Sequence, residues 1–547
     1  MLRALRRKAE EVEPDIPLEV QPASSVLKES TTSNAAPVET SEGPDVPVIE
    51  QSPEARMTKV ELQLTFIALS VTGFLAALDA AIVATAMPTI ASEFDSLSQQ
   101  SWIALSYLLT STVFQPFFGR ATDLYGSRTM LFIAMFIFEL GSLLCAVAQN
   151  FVWLCAARGV AGMGGAGIEV VMMVIVSQIV SLRERGNYMG IMYARYAIAM
   201  VAGPTLGGVF TNYNWRWCFW INLIIAVPAL AILIALARKL PAARKTNVTL
   251  RDIDYIGTIL LSVSTVSLSL AFNWAGIVYA WGSPIIIALI AVGGAMVPAF
   301  VCWEIWGPSF PIIPMDMFKY RNVRASTANY FFTSVSNYGT ILYLPSYYQL
   351  VRRDAQLISG LELLPYLIPM LLATTLVGRL ISKTGRIRTW LWAGGAVNML
   401  GTGLLIMLNG TLPRGVEYLF ILICGLGMGF VFQSNTLSAQ SEVGKELLAS
   451  VTTMTMWSKS LGGIFGIAMQ GSILTSVFKQ GILASSAAAP YVTRLLAVDN
   501  VSSLPSDVQS IASTSYGNAF HTMMIATTAF CAPGFLFSLT AGKHKLE

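Results

Sequence analysis

The sequence predicts an all-α integral membrane protein of fourteen transmembrane helices, arranged as two six-helix bundles with a pair of helices inserted between them. Three observations predict this. The 547 residues are 54% hydrophobic and only 12% charged. Apolar stretches of about twenty residues, enough to cross a bilayer, follow one another along most of the chain. A charged, glycine-bearing run, "GRATDLYGSR" (Gly119–Arg128), returns far downstream as "GRLISKTGRIR" (Gly378–Arg388). A soluble domain carries roughly 25% charged residues. A chain with half that share cannot cover a surface facing water, so lipid is the solvent for most of it.

Composition also narrows the function. The net charge of +4 is spread along the chain and forms no basic stripe with interleaved aromatics, so no nucleic-acid partner is implied. The cysteines, Cys145, Cys155, Cys218, Cys302, Cys424 and Cys531, include no CxxC pair and lie in or beside apolar segments, against a disulfide framework or a zinc site. His521 and His544 are the only histidines, which leaves little room for histidine catalysis or metal chemistry. No nucleophile–base pair is visible, so an enzyme is not expected. No GxxxxGK[ST] loop is present, so no nucleotide or other cofactor is implied and ATP hydrolysis is not the energy source.

Residues 1–58 are rich in Ser, Thr, Glu and Pro and lack apolar periodicity, which predicts a disordered cytoplasmic tail. Its start, "MLRALRRKAE", has no apolar h-region of a signal peptide; a short amphipathic targeting helix is the alternative. The spans are expected near 63–88, 101–119, 129–148, 152–180, 187–211, 217–238, 255–274, 283–305, 325–349, 359–382, 389–408, 416–440, 450–478 and 519–541. A count of twelve or thirteen is the competitor. Taken in order, they give an N-terminal bundle over 59–240 and an inserted pair over 241–308. A C-terminal bundle follows over 309–547, with an extracellular loop at 479–518.

Lys and Arg in short loops set the orientation. With the N-terminus inside, the inner loops carry Arg120, Arg128, Arg183, Arg185, Lys239, Lys245, Lys383, Arg386 and Arg388 among others. The outer loops carry only Arg216, Arg352, Arg353, Arg414, Lys479 and Arg494. Both termini are then cytoplasmic. Asn409 and Asn500 head N-x-S/T sequons in outer loops and are candidate glycosylation sites; Asn247 falls inside. The two Gly-Arg runs become the same inner loop of two repeated halves, and repeated six-helix halves around a central site are a transporter architecture.

Several motifs now fall in register: "LDAAIVATAMP" (Leu78–Pro88), "GRATDLYGSR", "RGVAGMGGAG" (Arg158–Gly167), "GPTLGG" (Gly203–Gly208), "NWRWCFWIN" (Asn214–Asn222) and "LPSYYQ" (Leu344–Gln349). Over about residues 60–545 the sequence resembles the major facilitator superfamily, in its fungal fourteen-helix drug:proton antiporter branch. The resemblance implies a proton-coupled antiporter that exports small organic compounds, such as drugs, toxins or secondary metabolites, by alternating access. The implied partners are such a substrate, protons and the bilayer, with the chain monomeric in the plasma membrane. Two rivals are a vacuolar carrier of basic amino acids, which "ATAMPTIASEF" and "ELGSLLC" also resemble, and a non-transporting membrane sensor. The gate elements are mostly present and the tail is short, which weighs against a sensor.

The residues carry this physically. Gly119 and Gly126 allow close helix approach and a tight turn, while Arg120, Asp123 and Arg128 can form ion pairs that break when the inner gate opens. The second copy has Ser382 in place of the acid. Asp79 in the first helix and Arg158 in the fourth lie at matching depth, so a pair is plausible, and an intramembrane ionisable group is a functional candidate by default. The family resemblance implies a proton-coupling role for the fourth-helix arginine. In the fifth helix Pro204 removes a backbone donor, and Gly203, Gly207 and Gly208 permit close packing; Ala197 stands where the family expects a further glycine. Glu169 and Arg195 sit at similar depth with opposite sign and suggest a compensating pair, or a lining that selects a polar or charged cargo. Glu139, Asn337, Gln433 and Lys459 are further candidates for the cavity wall. Glu362 is expected on the rim.

Overall fold

The computed structural model describes residues 57–96, 99–241, 254–276, 278–308, 310–444, 447–496 and 504–543. The expected tail lies outside the described residues apart from Met57 and Thr58. Among the described residues there are fourteen helices of nineteen or more residues. They are α1 (Lys59–Glu93), α2 (Ser101–Tyr125), α3 (Ser127–Ala146), α4 (Phe151–Ile179), α5 (Leu182–Tyr213), α6 (Trp217–Ala235) and α7 (Tyr255–Trp274). The others are α8 (Pro284–Trp306), α9 (Arg321–Leu350), α10 (Leu364–Thr384), α11 (Ile387–Leu405), α12 (Arg414–Ser441), α13 (Leu448–Leu483) and α14 (Ser506–Leu539). The only β pairing described is an isolated bridge between Ala275 and Tyr279. The fold is all-α, as expected.

Among the described residues, ten helical segments are long and apolar enough to cross a membrane. The helices that miss the threshold are α2, α5, α9 and α11, and the reason is visible in α9. It buries Asn322, Ser326, Thr327, Asn329, Thr333, Ser334, Ser336, Asn337 and Thr340. A helix whose polar residues face other helices need not look apolar, because little of it meets lipid. The opposite case is α8, which exposes Ile285, Ile287, Ile290, Val292, Val297 and Val301.

The largest departure from the expected boundaries is at the last helix, and α2 runs on to Tyr125, so most of the first Gly-Arg run is helical and not loop. Helix α14 begins at Ser506, not near 519, so the outer loop is shorter than 479–518, the more so because α13 runs on to Leu483. The added turns look polar, but Val508, Ala512 and Tyr516 recur every four residues and are buried. That spacing is one face of a helix.

Packing follows small residues. In the first group α4 packs on α2 and α3, and α1 packs on α5 and α6. In the second, α12 packs on α10 and α11, and α9 packs on α13 and α14. A Cβ at Gly164 would strike the backbone of Phe138, and one at Gly162 would strike Tyr107, so the glycines of "RGVAGMGGAG" set how near α4 comes to its neighbours. The groups meet where α5 packs on α10 and α2 on α13, while α7 packs on α8 and also touches α2 and α13.

Gly126 joins α2 to α3 at φ 83°, and Gly385 ends α10 at φ 67°. Both are the second glycine of a Gly-Arg run. The left-handed region costs an L-residue roughly 1–2 kcal/mol, which explains why glycine recurs at that spacing. Gly126→Ala is therefore expected to destabilise the protein by about 1 kcal/mol or more, read as a lowered thermal midpoint of the purified protein.

Candidate functional site: a buried ion pair and a cavity between the helix groups

Two of the buried charge clusters among the described residues hold residues singled out from the sequence. The first is Asp79 with Arg158. A guanidinium nitrogen of Arg158 sits 2.5 Å from the Asp79 carboxylate, and both side chains are essentially inaccessible. The rest of the cluster satisfies what remains. Arg158 Nε donates to the Ile103 carbonyl at 3.1 Å. Asn222 Nδ2 donates to the second Asp79 oxygen at 3.0 Å and reaches Ser142 Oγ at 3.2 Å. The Tyr107 ring lies 4.4 Å from the guanidinium carbon, a cation–π contact. The pair expected from matching depth is present, and α1, α2, α3, α4 and α6 all contribute to it. The pair is stable only while it stays paired, since removing either member strands a buried charge.

The second cluster lies between the groups. A small cavity is walled by α4 (Glu169, Met173), α5 (Met192, Tyr193, Arg195, Tyr196), α9 (Tyr338), α10 (Met370, Leu371, Thr374), α12 (Phe432) and α13 (Lys459). Lys459 Nζ is 2.5 Å from Glu169, which also accepts from Gln115 Nε2 at 3.5 Å. Gln115 in turn donates to Ser460 at 3.0 Å. This ion pair crosses from one group to the other.

The expected Glu169–Arg195 pair is not formed. Lys459, from the distant α13, takes the carboxylate, and a cation arriving from another helix could not be read from depth along α4 and α5. Arg195 makes no described ion pair, its Nε is buried without a hydrogen-bond partner, and its guanidinium lies over Gly73 of α1. Three other candidates do not line this cavity. Glu139 lies on α3 with a buried, unpartnered oxygen. Asn337 accepts from the Tyr366 hydroxyl at 2.5 Å inside the second group. Gln433 donates to the Gly186 carbonyl at 2.9 Å, where α12 meets α5. Asn337 and Gln433 are polar and buried as expected and Glu139 is half-buried, but side-chain direction, which helical depth does not fix, points each elsewhere.

The end that carries the Gly-Arg runs is where the two groups close. Asp123 accepts from Ser450 of α13 at 2.8 Å. It also lies 3.9 Å from Arg120 within its own helix. A Cβ at Gly119 would strike Thr453 of α13, and one at Gly378 would strike the Gly186 backbone. The first glycine of each run is thus a contact between the groups. Gln440 of α12 bridges Ser177 at 2.9 Å and Thr452 at 2.8 Å, Arg185 reaches Gln440 at 3.5 Å, and Tyr193 meets Thr436 at 3.0 Å. Arg128 does not join this contact: it donates to the Ala237 carbonyl at 3.4 Å within the first group.

On α5, a Cβ at Gly203 would strike Ala81 and one at Gly207 would strike Thr85, so both hold α5 against α1 just beyond Asp79. Gly208 differs: it is exposed and meets nothing within 4 Å, so it makes no close packing contact. The side chain of Pro204 lies outside the described residues. Glu362 is buried in a network with Arg414 at 3.0 Å and the Tyr418 hydroxyl at 2.9 Å. Asn409 is exposed, its side-chain Oδ1 accepting from the Thr411 backbone N–H at 3.0 Å. Asn500 and Asn247 lie outside the described residues.

Sequence reasoning missed Gln115, Asn222, Tyr107, Gln440 and Gly73 as parts of these clusters. The signal was present for Gln115 and Gln440: an amide inside an apolar helix needs a partner.

An all-helical, polytopic protein with an ionic cavity between two helix groups belongs to the class of membrane carriers. The comparisons are specific about which. The family model of the Major Facilitator Superfamily matches residues 69–467, and the chain belongs to that family. It is 31% identical over 423 residues to the efflux pump aflT of Aspergillus parasiticus, covering 76% of this chain and 82% of that one. It is 33% identical to the efflux pump FUS6 of Gibberella moniliformis, covering 78% and 76%. It is 35% identical to the MFS-type efflux pump LUC4 of a Fusarium species, covering 77% and 75%. Among solved structures, the human organic anion transporter MFSD10 aligns with TM-score 0.53 at 13% identity, over 88% of this chain and all of that one. The proton:xylose symporter XylE aligns with TM-score 0.54 at 12% identity, over 87% and 96%. These two likenesses concern the fold.

Proposed function

We propose that the protein is a proton-coupled antiporter that exports a small organic compound by alternating access. The observation that carries this reading is the cavity walled by both helix groups, with the Glu169–Lys459 pair bridging the groups in its wall and a set of hydrogen bonds joining them at the Gly-Arg end. Such contacts can break and re-form, so the closed end can become the open one. The fungal relatives named as efflux pumps support export as the direction. All fourteen long helices then span the bilayer as two six-helix bundles with α7 and α8 inserted. The Gly-Arg end is cytoplasmic together with both termini, and the conformation is closed to the cytoplasm. Arg120, Asp123 and the glycines 119, 126, 203 and 207 serve the gates. Asp79 with Arg158 is the coupling pair, because a carboxylate held only by breakable partners can exchange a proton as access changes.

The plasma membrane is the proposed location, the chain acts as a monomer, and Asn409 is the glycan acceptor within the described residues. The vacuolar reading, with a basic amino acid as cargo, needs a free acid in the cavity. Glu169 is neutralised there by Lys459, so the cavity does not favour that cargo. A carrier also needs no catalytic group, in keeping with the absence of enzymatic motifs in the sequence.

The test is flux in proteoliposomes of the purified full chain, with and without a pH gradient, against a panel of amphipathic compounds and basic amino acids. Export driven by the gradient is the expected result. Flux indifferent to the gradient would make the protein a facilitator and end the antiport reading.

A further inference from the structure

The charges facing the cavity do not balance. Glu169 is matched by Lys459 at 2.5 Å. Arg195 is then left with no described ion pair, its Nε is buried without an acceptor, and it stands on the cavity wall. An unpaired cation removed from water is costly unless something accepts from it. The wall around it is aromatic and apolar. Tyr193 and Phe432, from opposite groups, stack with centroids 5.6 Å apart and 9° between planes. Met192 and Met370 add side chains that adapt to irregular shapes.

We infer that the cargo is an organic anion, a flat aromatic weak acid whose carboxylate or phenolate is received by Arg195 while its ring system packs against the Tyr193–Phe432 wall. This rests on the export reading and names its substrate class. A guanidinium presents its donors in a planar fork that matches a carboxylate, so Arg195 supplies direction as well as charge. Gly73 is part of the device. A Cβ at Gly73 would collide with the Arg195 guanidinium, so the bare backbone of α1 makes the space in which it lies. Glu169 is held by Lys459 and makes no described ion pair with Arg195. The cargo therefore meets a net positive wall despite the acid in it.

Two dyes sharing a xanthene ring system test this: fluorescein, which is anionic, and rhodamine 6G, which is cationic. Their equilibrium binding to the purified full-length protein is measured by fluorescence anisotropy, and their export is followed in proteoliposomes. Wild type is expected to bind fluorescein the more tightly. Arg195→Gln should weaken fluorescein about ten- to a hundredfold, the usual weight of one charged hydrogen-bonding partner, and leave rhodamine 6G unchanged or improved. Arg195→Lys, which keeps the charge and loses the fork, should recover part of the loss, and this separates a binding role from misfolding. Tighter binding of rhodamine 6G by wild type, binding of neither dye, or an equal loss of both in Arg195→Gln would overturn the inference. The two readings fail separately. Arg195-dependent fluorescein binding without gradient-driven flux would sink the antiport reading and keep the anion site. Gradient-driven flux of any compound, indifferent to Arg195, would do the reverse.

Discussion

Asp79→Asn is expected to abolish gradient-driven flux and to lower stability by about 3–5 kcal/mol, the usual result of leaving one buried charge without its partner. The geometry sets both effects. Arg158 has its carboxylate at 2.5 Å and no access to water, and the remaining contacts, the Ile103 carbonyl and the Tyr107 ring, cannot neutralise it. Asparagine keeps the shape and the hydrogen bond from Asn222 but cannot carry or release a proton. Stability and coupling can be separated. The double variant Asp79→Asn with Arg158→Gln removes both charges, so it should regain much of the lost thermal stability while flux stays uncoupled. The measurements are thermal unfolding in detergent and pH-gradient flux in proteoliposomes. Coupled flux surviving in Asp79→Asn would move the proton to another acid, with Glu139 on α3 the next to test.

The second large effect concerns the latch between the groups. Glu169→Gln leaves Lys459, almost wholly buried, without its carboxylate. The closed end then loses about 2 kcal/mol, the weight of one charged hydrogen bond. That shifts the balance between closed and open forms some thirtyfold at about 1.4 kcal/mol per decade. Spin labels at Ser181 and Thr384, one on each group at the Gly-Arg end, read the shift as a new population at longer distance. Exchanging the charges, Glu169→Lys with Lys459→Glu, should restore the short distance. An unchanged distance distribution in Glu169→Gln would show that the hydrogen bonds of Gln440, Ser450 and Tyr193 hold this end by themselves.

Much of the fold was legible because lipid imposes simple rules. Apolar length placed the ends of thirteen of the long helices within six residues, and the fourteenth was shortened because its first turns look polar until Val508, Ala512 and Tyr516 are read at helical spacing. The recurrence of Gly126 and Gly385 was legible for a similar reason: a positive φ admits few other residues. The Asp79–Arg158 pair could be anticipated, because two opposite charges at one depth in adjoining segments have few alternatives. Asn337 and Gln433 were recognised as buried polar groups but placed on the wrong wall. Depth along a helix follows from counting residues, while the direction of a side chain depends on how the helix is rotated against its neighbours.

The sequence by itself determined the solvent, most of the helix positions, the turn glycines and the family, since each depends on local composition or on motifs a few residues long. The tertiary structure decided which charges meet. Glu169 finds Lys459 some 290 positions away, and Arg195 is left over. Pairing across two helix groups depends on how those groups approach, and no spacing along the chain encodes that distance.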